Sequence, residues 1–286
     1  MQMDMERASL ATLAAQRIEA GALDDGSLER LAHELGSSAR SLRRALRAEL
    51  GLAPVELAQA RRLALARELL GASTLPLTEI AFASGFRSLR RFQAAFRAAH
   101  GCAPSALRRG SARQTCESVV LRLAFRPPLD WPRRLAELER EALPHCELAE
   151  DLVWTRSVKL GTRKGWVAVY PARRGPALTA EIALPLVRAL RPLVARLRRR
   201  LAGGFFDEFE SQLAALPLEI RRALVEQFGR EFEMPHAILT RLAPEPGPIA
   251  ASSPAALRAL GLDAACSRAL LESARALVLE RERRRT

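Results

Sequence analysis

The stretch Ile80-Ala81-Phe82-Ala83-Ser84-Gly85-Phe86-Arg87-Ser88-Leu89-Arg90-Arg91-Phe92-Gln93-Ala94-Ala95-Phe96 decides the fold of the N-terminal part of this chain. Leu77, Ile80 and Ala81 share one helical face, and Ser84-Gly85-Phe86 supplies a tight turn. Ser88 is placed to cap a second helix, with Phe92, Ala95 and Phe96 turned inward. Moved back by 50 residues, the same punctuation returns: Glu29/Glu79, Ser38/Ser88, Arg40/Arg90, Leu42/Phe92, Ala45/Ala95, Leu46/Phe96, Arg47/Arg97, Gly51/Gly101, Pro54/Pro104 and Leu57/Leu107. Two copies of one supersecondary unit follow from that register.

In the first copy Leu28, Leu31, Ala32 and Leu35 form a short helical face that Gly36 breaks. Ser37 or Ser38 can cap the next helix, whose stripe is Leu42, Ala45, Leu46 and Leu50. Both long helices stop at a glycine, Gly51 or Gly101, with a proline three residues on. Between the copies, Pro54 to Leu70 reads as one connecting helix with Leu63, Ala66, Leu69 and Leu70 inward.

Outward faces carry the function. Arg40, Arg43, Arg44 and Arg47 line the polar face of the first long helix, and Arg87, Arg90, Arg91, Gln93 and Arg97 lie on or just before the second. A helix-turn-helix unit places the N-terminal half of its second helix in the major groove, where Arg pairs with guanine and Gln with adenine. Two such helices on one rigid connector could enter groove segments roughly 34 Å apart. An arginine-rich face on a lone helix would more simply be solvated, but its recurrence in both copies argues against that.

Charge follows the same boundary. Of the net +13, residues 38–109 carry thirteen Arg against four acids, whereas residues 1–37 carry three Arg against seven. Lys159 and Lys164 are the only lysines, so part of the basic excess is a general arginine bias, and its position says more than its total.

Residues 27–109 resemble the twin helix-turn-helix domain of AraC/XylS-type transcription regulators. The signature region is Ile80 to Phe86 followed by Ser88, Phe92, Phe96, Gly101, Pro104 and Arg108, and Arg62-Leu63-x-x-Ala66 matches the linker helix. The resemblance implies base reading by Arg40, Arg43 and Arg44 in the first unit and by Arg90 and Gln93 in the second. Ala94 occupies a usual polar contact position, so the second unit is expected to read fewer bases.

Beyond a polar linker, Gly110 to Ser118, residues 119–126 alternate as a strand, and Asp130 can cap a helix from Trp131 to about Ala142. Further strands are expected near Val153–Leu160, Gly165–Tyr170 and Ala177–Ile182, then a long basic helix from about Pro185 to Leu201. Leu121-Arg-Leu-Ala-Phe-Arg-Pro-Pro-Leu-Asp130-Trp131, with Gly165-Trp166-Val167-x-Val169, resembles the N-terminal domain of AlkA-type 3-methyladenine DNA glycosylases over roughly 117–202. Asp207-Glu208-Phe209-Glu210 and the Ile249 to Leu277 stretch resemble that family's helical domain more faintly. Adaptive-response repair proteins of some bacteria carry the same order of modules.

The resemblance also implies what is missing. That family removes a flipped base with a catalytic Asp beyond a Gly-rich hairpin. Here no Leu-Pro-Gly-x-Gly occurs, Asp207 and Asp263 fall elsewhere in the pattern, and Leu216-Pro217-Leu218-Glu219 replaces the base-pushing segment. The chain ends at Glu280-Arg-Glu-Arg-Arg-Arg-Thr286 before the hairpin would appear, and it lacks the cysteine-rich methyl-accepting domain. No catalytic residue is expected.

The expected fold is mainly α with an α+β module: a tandem helix-turn-helix domain over 1–110, a small AlkA N-terminal-like domain over 117–202 and a short helical remnant over 203–286. Cys102, Cys116, Cys146 and Cys266 stand singly, and His33, His100, His145 and His236 are isolated, so no disulfide, metal or cofactor is expected. Trp131, Trp154 and Trp166 read as core. Arg188, Arg191, Arg196 and Arg198 to Arg200 fit either DNA phosphates or a solvated face, and Arg281 with Arg283 to Arg285 reads as a frayed tail. No apolar run approaches a membrane span and no basic leader opens the chain, with Asp4, Glu6, Asp24 and Asp25 in its first 30 residues. A cytoplasmic bacterial regulator is expected, with double-stranded DNA as partner and RNA polymerase as a further one. A glycosylase or a lesion sensor is the competing reading.

Overall fold

The computed structural model describes residues 9–283 except 20–21, 24–26, 74, 108–117, 125–128, 174, 176 and 234–238. Asp4, Glu6, Asp24, Asp25, Arg108, the linker 110–117 with Cys116, residues 125–128, His236, Arg284 and Arg285 therefore lie outside the described residues. The chain forms two compact units, residues 1–119 with 187–196, and residues 120–186 with 197–286.

The first unit runs α1 (Leu10–Glu19), α2 (Leu28–Glu34), α3 (Ala39–Leu50), α4 (Pro54–Ala72), α5 (Leu77–Ala83) and α6 (Leu89–His100), then a 3-10 turn at Pro104–Leu107. Ser38 and Ser88 are the N-caps of α3 and α6, their side chains accepting from Ser41 N and Arg91 N. Gly51 and Gly101 end those helices in the left-handed region, φ 69° and 70°, where a Cβ is disfavoured. Each glycine N–H turns back to the carbonyl of Arg47 or Arg97.

α1 is an element the sequence reading did not assign. Its Ala11, Ala14 and Ile18 are buried in one cluster with Leu31, Ala32, Leu42, Leu46 and Ala58. The second copy fills its interior with rings instead: Phe86–Phe92 centroids are 5.3 Å apart, Phe92–Phe96 5.5 Å, and His100 lies 4.4 Å from Phe96.

The second unit holds β1 (Ser118–Ala124), α7 (Trp131–Glu141), β2 (Glu147–Glu150), β3 (Val153–Leu160), β4 (Arg163–Pro171) and β5 (Ala177–Ala183), with sheet order β1-β5-β4-β3-β2. The pairs β2/β3, β3/β4 and β4/β5 are antiparallel, with Trp154 opposite Val169 and Val169 opposite Ala180. Asp130 caps α7 by accepting from Arg133 N at 3.1 Å. β2 was not expected. It joins β3 through Asp151 and Leu152, both at positive φ (49° and 63°), in a two-residue turn where Gly or Asn is the usual signal.

The long basic helix needs correction. Leu184–Ala189 is a 3-10 segment, and α8 covers only Leu190–Leu201. Pro192 explains the late start: its ring would clash with the carbonyl of residue 188 in a continuous α-helix, but it is tolerated in a first turn.

Then come α9 (Glu208–Ala214), α10 (Leu218–Phe228), α11 (Pro246–Ala250), α12 (Pro254–Ala259) and α13 (Ala264–Arg283). Asp207 caps α9, accepting from Glu210 N at 3.0 Å. Phe209, Leu213, Leu224, Val225, Ile249, Leu257, Leu270 and Ala274 share a core with Leu143 and Cys146. Arg281 and Arg283, expected in a frayed tail, belong to α13, because the helix that carries Leu270 and Leu271 into that core continues through them.

Candidate nucleic-acid interface

Arg40, Arg43, Arg44 and Arg47 recur at i, i+3, i+4 and i+7 on α3, and all four are exposed. The same register on α6 is Arg90, Gln93, Ala94 and Arg97, with Gln93 half-buried and the other three exposed. Arg87 and Arg91 flank this second stripe and are exposed too. Leu42 and Leu46 bury the opposite face of α3, and Phe92 and Phe96 that of α6, so core packing dictates which way the arginines turn.

Helix-end chemistry separates these two helices from α2, α4 and α5. α2, α4 and α5 each carry a glutamate in the first turn, Glu29, Glu56 and Glu79, whereas α3 and α6 carry none. Acids at a helix N-terminus offset the positive end of the macrodipole. Leaving them out and adding Arg40, Arg90 and Arg91 concentrates positive potential there, which suits an anionic partner. Arg43 Nη2 lies 3.5 Å from Glu29 Oε1, but both side chains are more than half exposed, so the pair is weak and easily exchanged for a phosphate.

The second unit uses arginine in the opposite way. Arg156, Arg134 and Arg200 are buried, at 2%, 6% and 1% exposure. Arg156 donates to Glu147 at 2.7 Å and also to Glu210, with its guanidinium 4.0 Å above the Phe206 ring. Arg200 donates to Glu141 and Glu147, Arg134 donates to the Arg200 carbonyl at 2.6 Å, and Trp154 Nε1 donates to Glu147 at 3.2 Å. Burial pushes Glu210 up to about 7 against the pull of Arg156, and burial raises the Cys146 thiol to about 12. The expectation that Arg200 is solvated or lies on phosphate is corrected: burial and two carboxylates commit it to this network. Arg188 pairs with Glu79, both within the first unit.

Sequence reasoning did not find the network. One signal was present: Trp154, Val158 and Leu160 are buried on one face of β3 and Arg156 falls in their alternation, with Ser157 buried on the other face. Trp131 and Trp154 are buried as expected, while Trp166 is half-buried. His33 is exposed, and His145 approaches Glu226 at 3.6 Å. Cys102, Cys146 and Cys266 are free thiols, and no group of side chains among the described residues is placed to hold a metal ion. No described helix is long and apolar enough to cross a membrane.

Duplicated capped helices with outward arginines, followed by an α+β module, define a tandem helix-turn-helix protein carrying a second module. Comparison with known proteins names both parts: residues 31–110 match the helix-turn-helix domain, and residues 120–204 match the AlkA N-terminal domain. The chain thus carries an AraC-type helix-turn-helix domain followed by an AlkA N-terminal domain. It is 34% identical over 201 residues, 68% of this chain, to the "Probable bifunctional transcriptional activator/DNA repair enzyme AlkA" of Mycobacterium tuberculosis. That match spans 40% of the relative's length.

Among solved structures, the C-terminal domain of AraT, a response regulator from Geobacillus stearothermophilus, is 31% identical with a TM-score of 0.35, covering 38% of this chain and 93% of that one. The 3-methyladenine DNA-glycosylase from Archaeoglobus fulgidus is 19% identical with a TM-score of 0.42, covering 54% of this chain and 65% of that one.

Proposed function

We propose that this chain is a sequence-specific DNA-binding transcription regulator of the AraC type. Arg40, Arg43 and Arg44 on α3, with Arg90 and Gln93 on α6, read base edges, and Arg47, Arg87 and Arg91 hold phosphates. The observation that carries this reading is the pair of exposed stripes in matching register on two identically capped helices. RNA polymerase is the further partner of such a regulator. Residues 1–110 form the DNA-reading domain, 117–202 the α+β module and 203–286 the helical region.

Footprinting and a salt titration test the proposal. Arg90→Ala with Gln93→Ala relaxes base preference at one half-site at about 1–3 kcal/mol per lost bidentate contact. Arg47→Ala weakens all sequences alike and lowers the salt slope by about 0.9. A sequence preference that survives both the Arg90/Gln93 and the Arg40/Arg44 double substitutions refutes the reading.

A second reading, base removal or lesion recognition on alkylated DNA, is favoured by the likeness to the Mycobacterium tuberculosis relative, which is named as a DNA repair enzyme. Within these residues we propose a catalytically empty module. Its buried carboxylates, Glu147 and Glu210, are both engaged by Arg156 rather than held ready as a base. Release of free 3-methyladenine by the purified chain, abolished by substituting one of its own carboxylates, overturns this; tighter binding to alkylated than to intact duplex supports a lesion sensor instead.

A further inference from the structure

A cleft of about 850 Å³ opens within the first unit, beside α4, α5 and α6. Among the described residues, four arginines line it, Arg62, Arg87, Arg91 and Arg191, with no Asp or Glu. Its apolar lining is Leu23, Phe82, Phe86, Ala94 and Ala95, with Phe82 51% exposed. Another cleft of this unit, about 760 Å³, mixes Arg67 with Glu56 and Glu68 and so has no bias toward one sign of charge.

Positions within the arginine cleft are held by specific contacts. Arg62 Nη2 donates to the Leu23 carbonyl at 3.1 Å, fixing one wall. Arg191 lies against the turn at Gly85, where a Cβ would fall 2.0 Å from its Nη1, so a glycine there keeps room for the guanidinium. Burial pulls the Arg191 guanidinium down to about 10.

A cleft lined by four arginines and two phenylalanines suits a planar anionic group on a flat apolar body, the arginines taking the anion and the exposed Phe82 ring the remainder. We propose that this cleft binds a small organic anion, a carboxylate or phosphate ester on an aromatic body, and that its occupancy weakens DNA binding by the second helix-turn-helix unit. The coupling follows because Arg91 and Ala94 of α6, with Arg87 just before it, line the cleft and also lie on the side proposed to face DNA. This second clause rests on the regulator reading; the first does not.

The full chain, without DNA, is titrated with phenyl phosphate by calorimetry, with inorganic phosphate in parallel. Binding at one site per chain is expected, weakened at least tenfold by Arg91→Ala with Arg191→Ala. Gln59→Glu lines the same cleft, places a carboxylate in it without truncation and has the same effect, while Arg258→Ala, an exposed arginine of α12, leaves phenyl phosphate binding unchanged. Wild-type protein that binds no phenyl phosphate, or binds it as tightly as the double variant, overturns the site. Inorganic phosphate binding equally well overturns the aromatic ligand class.

In a second arm, saturating phenyl phosphate raises the DNA Kd several-fold in wild type and not in Gln59→Glu. An unchanged Kd refutes the coupling alone. A chain with no sequence preference refutes the regulator reading and leaves the calorimetric result standing. Weakened DNA binding in the double variant, with no phenyl phosphate binding in wild type, assigns these arginines to DNA phosphate and overturns the proposal.

Discussion

Arginine does two opposite things in this chain. On α3 and α6 it stands in solvent at regular spacing, with at most a loose partner such as Glu29. Around β3 it is buried, and Arg156, Arg200 and Arg134 are committed to carboxylates, a carbonyl and aromatic faces. An exposed guanidinium keeps its hydration and can trade water for phosphate or guanine at small cost. A buried one has already lost its hydration and depends on its internal partners. The difference fits the first set to the binding role we propose and the second to structure.

The comparison breaks most visibly at Arg156. Arg156→Ala leaves Glu147 and Glu210 buried without their shared cation, and about 3–5 kcal/mol of stability is lost, read as a lower urea midpoint by tryptophan fluorescence. Replacing Arg156, Glu147 and Glu210 together by apolar residues of similar volume recovers most of it. A small loss in the single variant would place Arg156 with the solvent-exposed set.

Next in size is a pH effect confined to the buried set. The Glu210 carboxyl sits at about 7 in the folded chain against an ordinary 4.5, so the folded state holds its proton more tightly. Its contribution to stability is complete below about 4.5 and is lost as pH rises through about 7. The difference in unfolding free energy between wild type and Glu210→Gln shrinks or reverses across that window. A pH-independent difference contradicts the assignment.

Arg40→Ala sharpens the other side. DNA affinity falls by about 1–3 kcal/mol at the base it reads, while the urea midpoint stays within the ~0.5 kcal/mol of ordinary surface changes. Arg90→Ala behaves alike. A variant that loses both stability and DNA binding would erase the distinction between the two sets.

The smallest effects are expected at Glu29 and at the thiols. Glu29→Ala lowers the unfolding midpoint only slightly, because its exposed pair with Arg43 contributes little and what is lost is its place in the first turn of α2. A thiol reagent modifies the exposed Cys266 in the native chain and spares Cys146, whose burial raises its thiol to about 12, until the second unit unfolds.

Much of this was legible from local chemistry. Serine caps, terminating glycines and an apolar stripe act over a few residues, so the repeat at an offset of 50 announced α2 to α6 and the outward residues of the candidate interface. α1 went unassigned because its inward face is mainly alanine, Ala11 and Ala14 with Ile18, which gives a weak periodic signal. β2 was missed because four residues and an Asp-Leu turn carry no hairpin signature, although Trp131 Nε1 donates to the Leu152 carbonyl beside that turn. The 3-10 entry to α8 was readable from Pro192 and was not used.

The sequence by itself determined the tandem helix-turn-helix, the class of the α+β module and which residues of α3 and α6 face outward, since period, cap and turn are local. Only the tertiary structure decided which arginines are available to a partner. Glu147, Arg156, Arg200 and Glu210 come from β2, β3, α8 and the start of α9, and nothing in their spacing marks them as neighbours. Whether a guanidinium is solvated or buried depends on which distant carboxylates the fold brings to it, and that long-range convergence sets both its desolvation and its use.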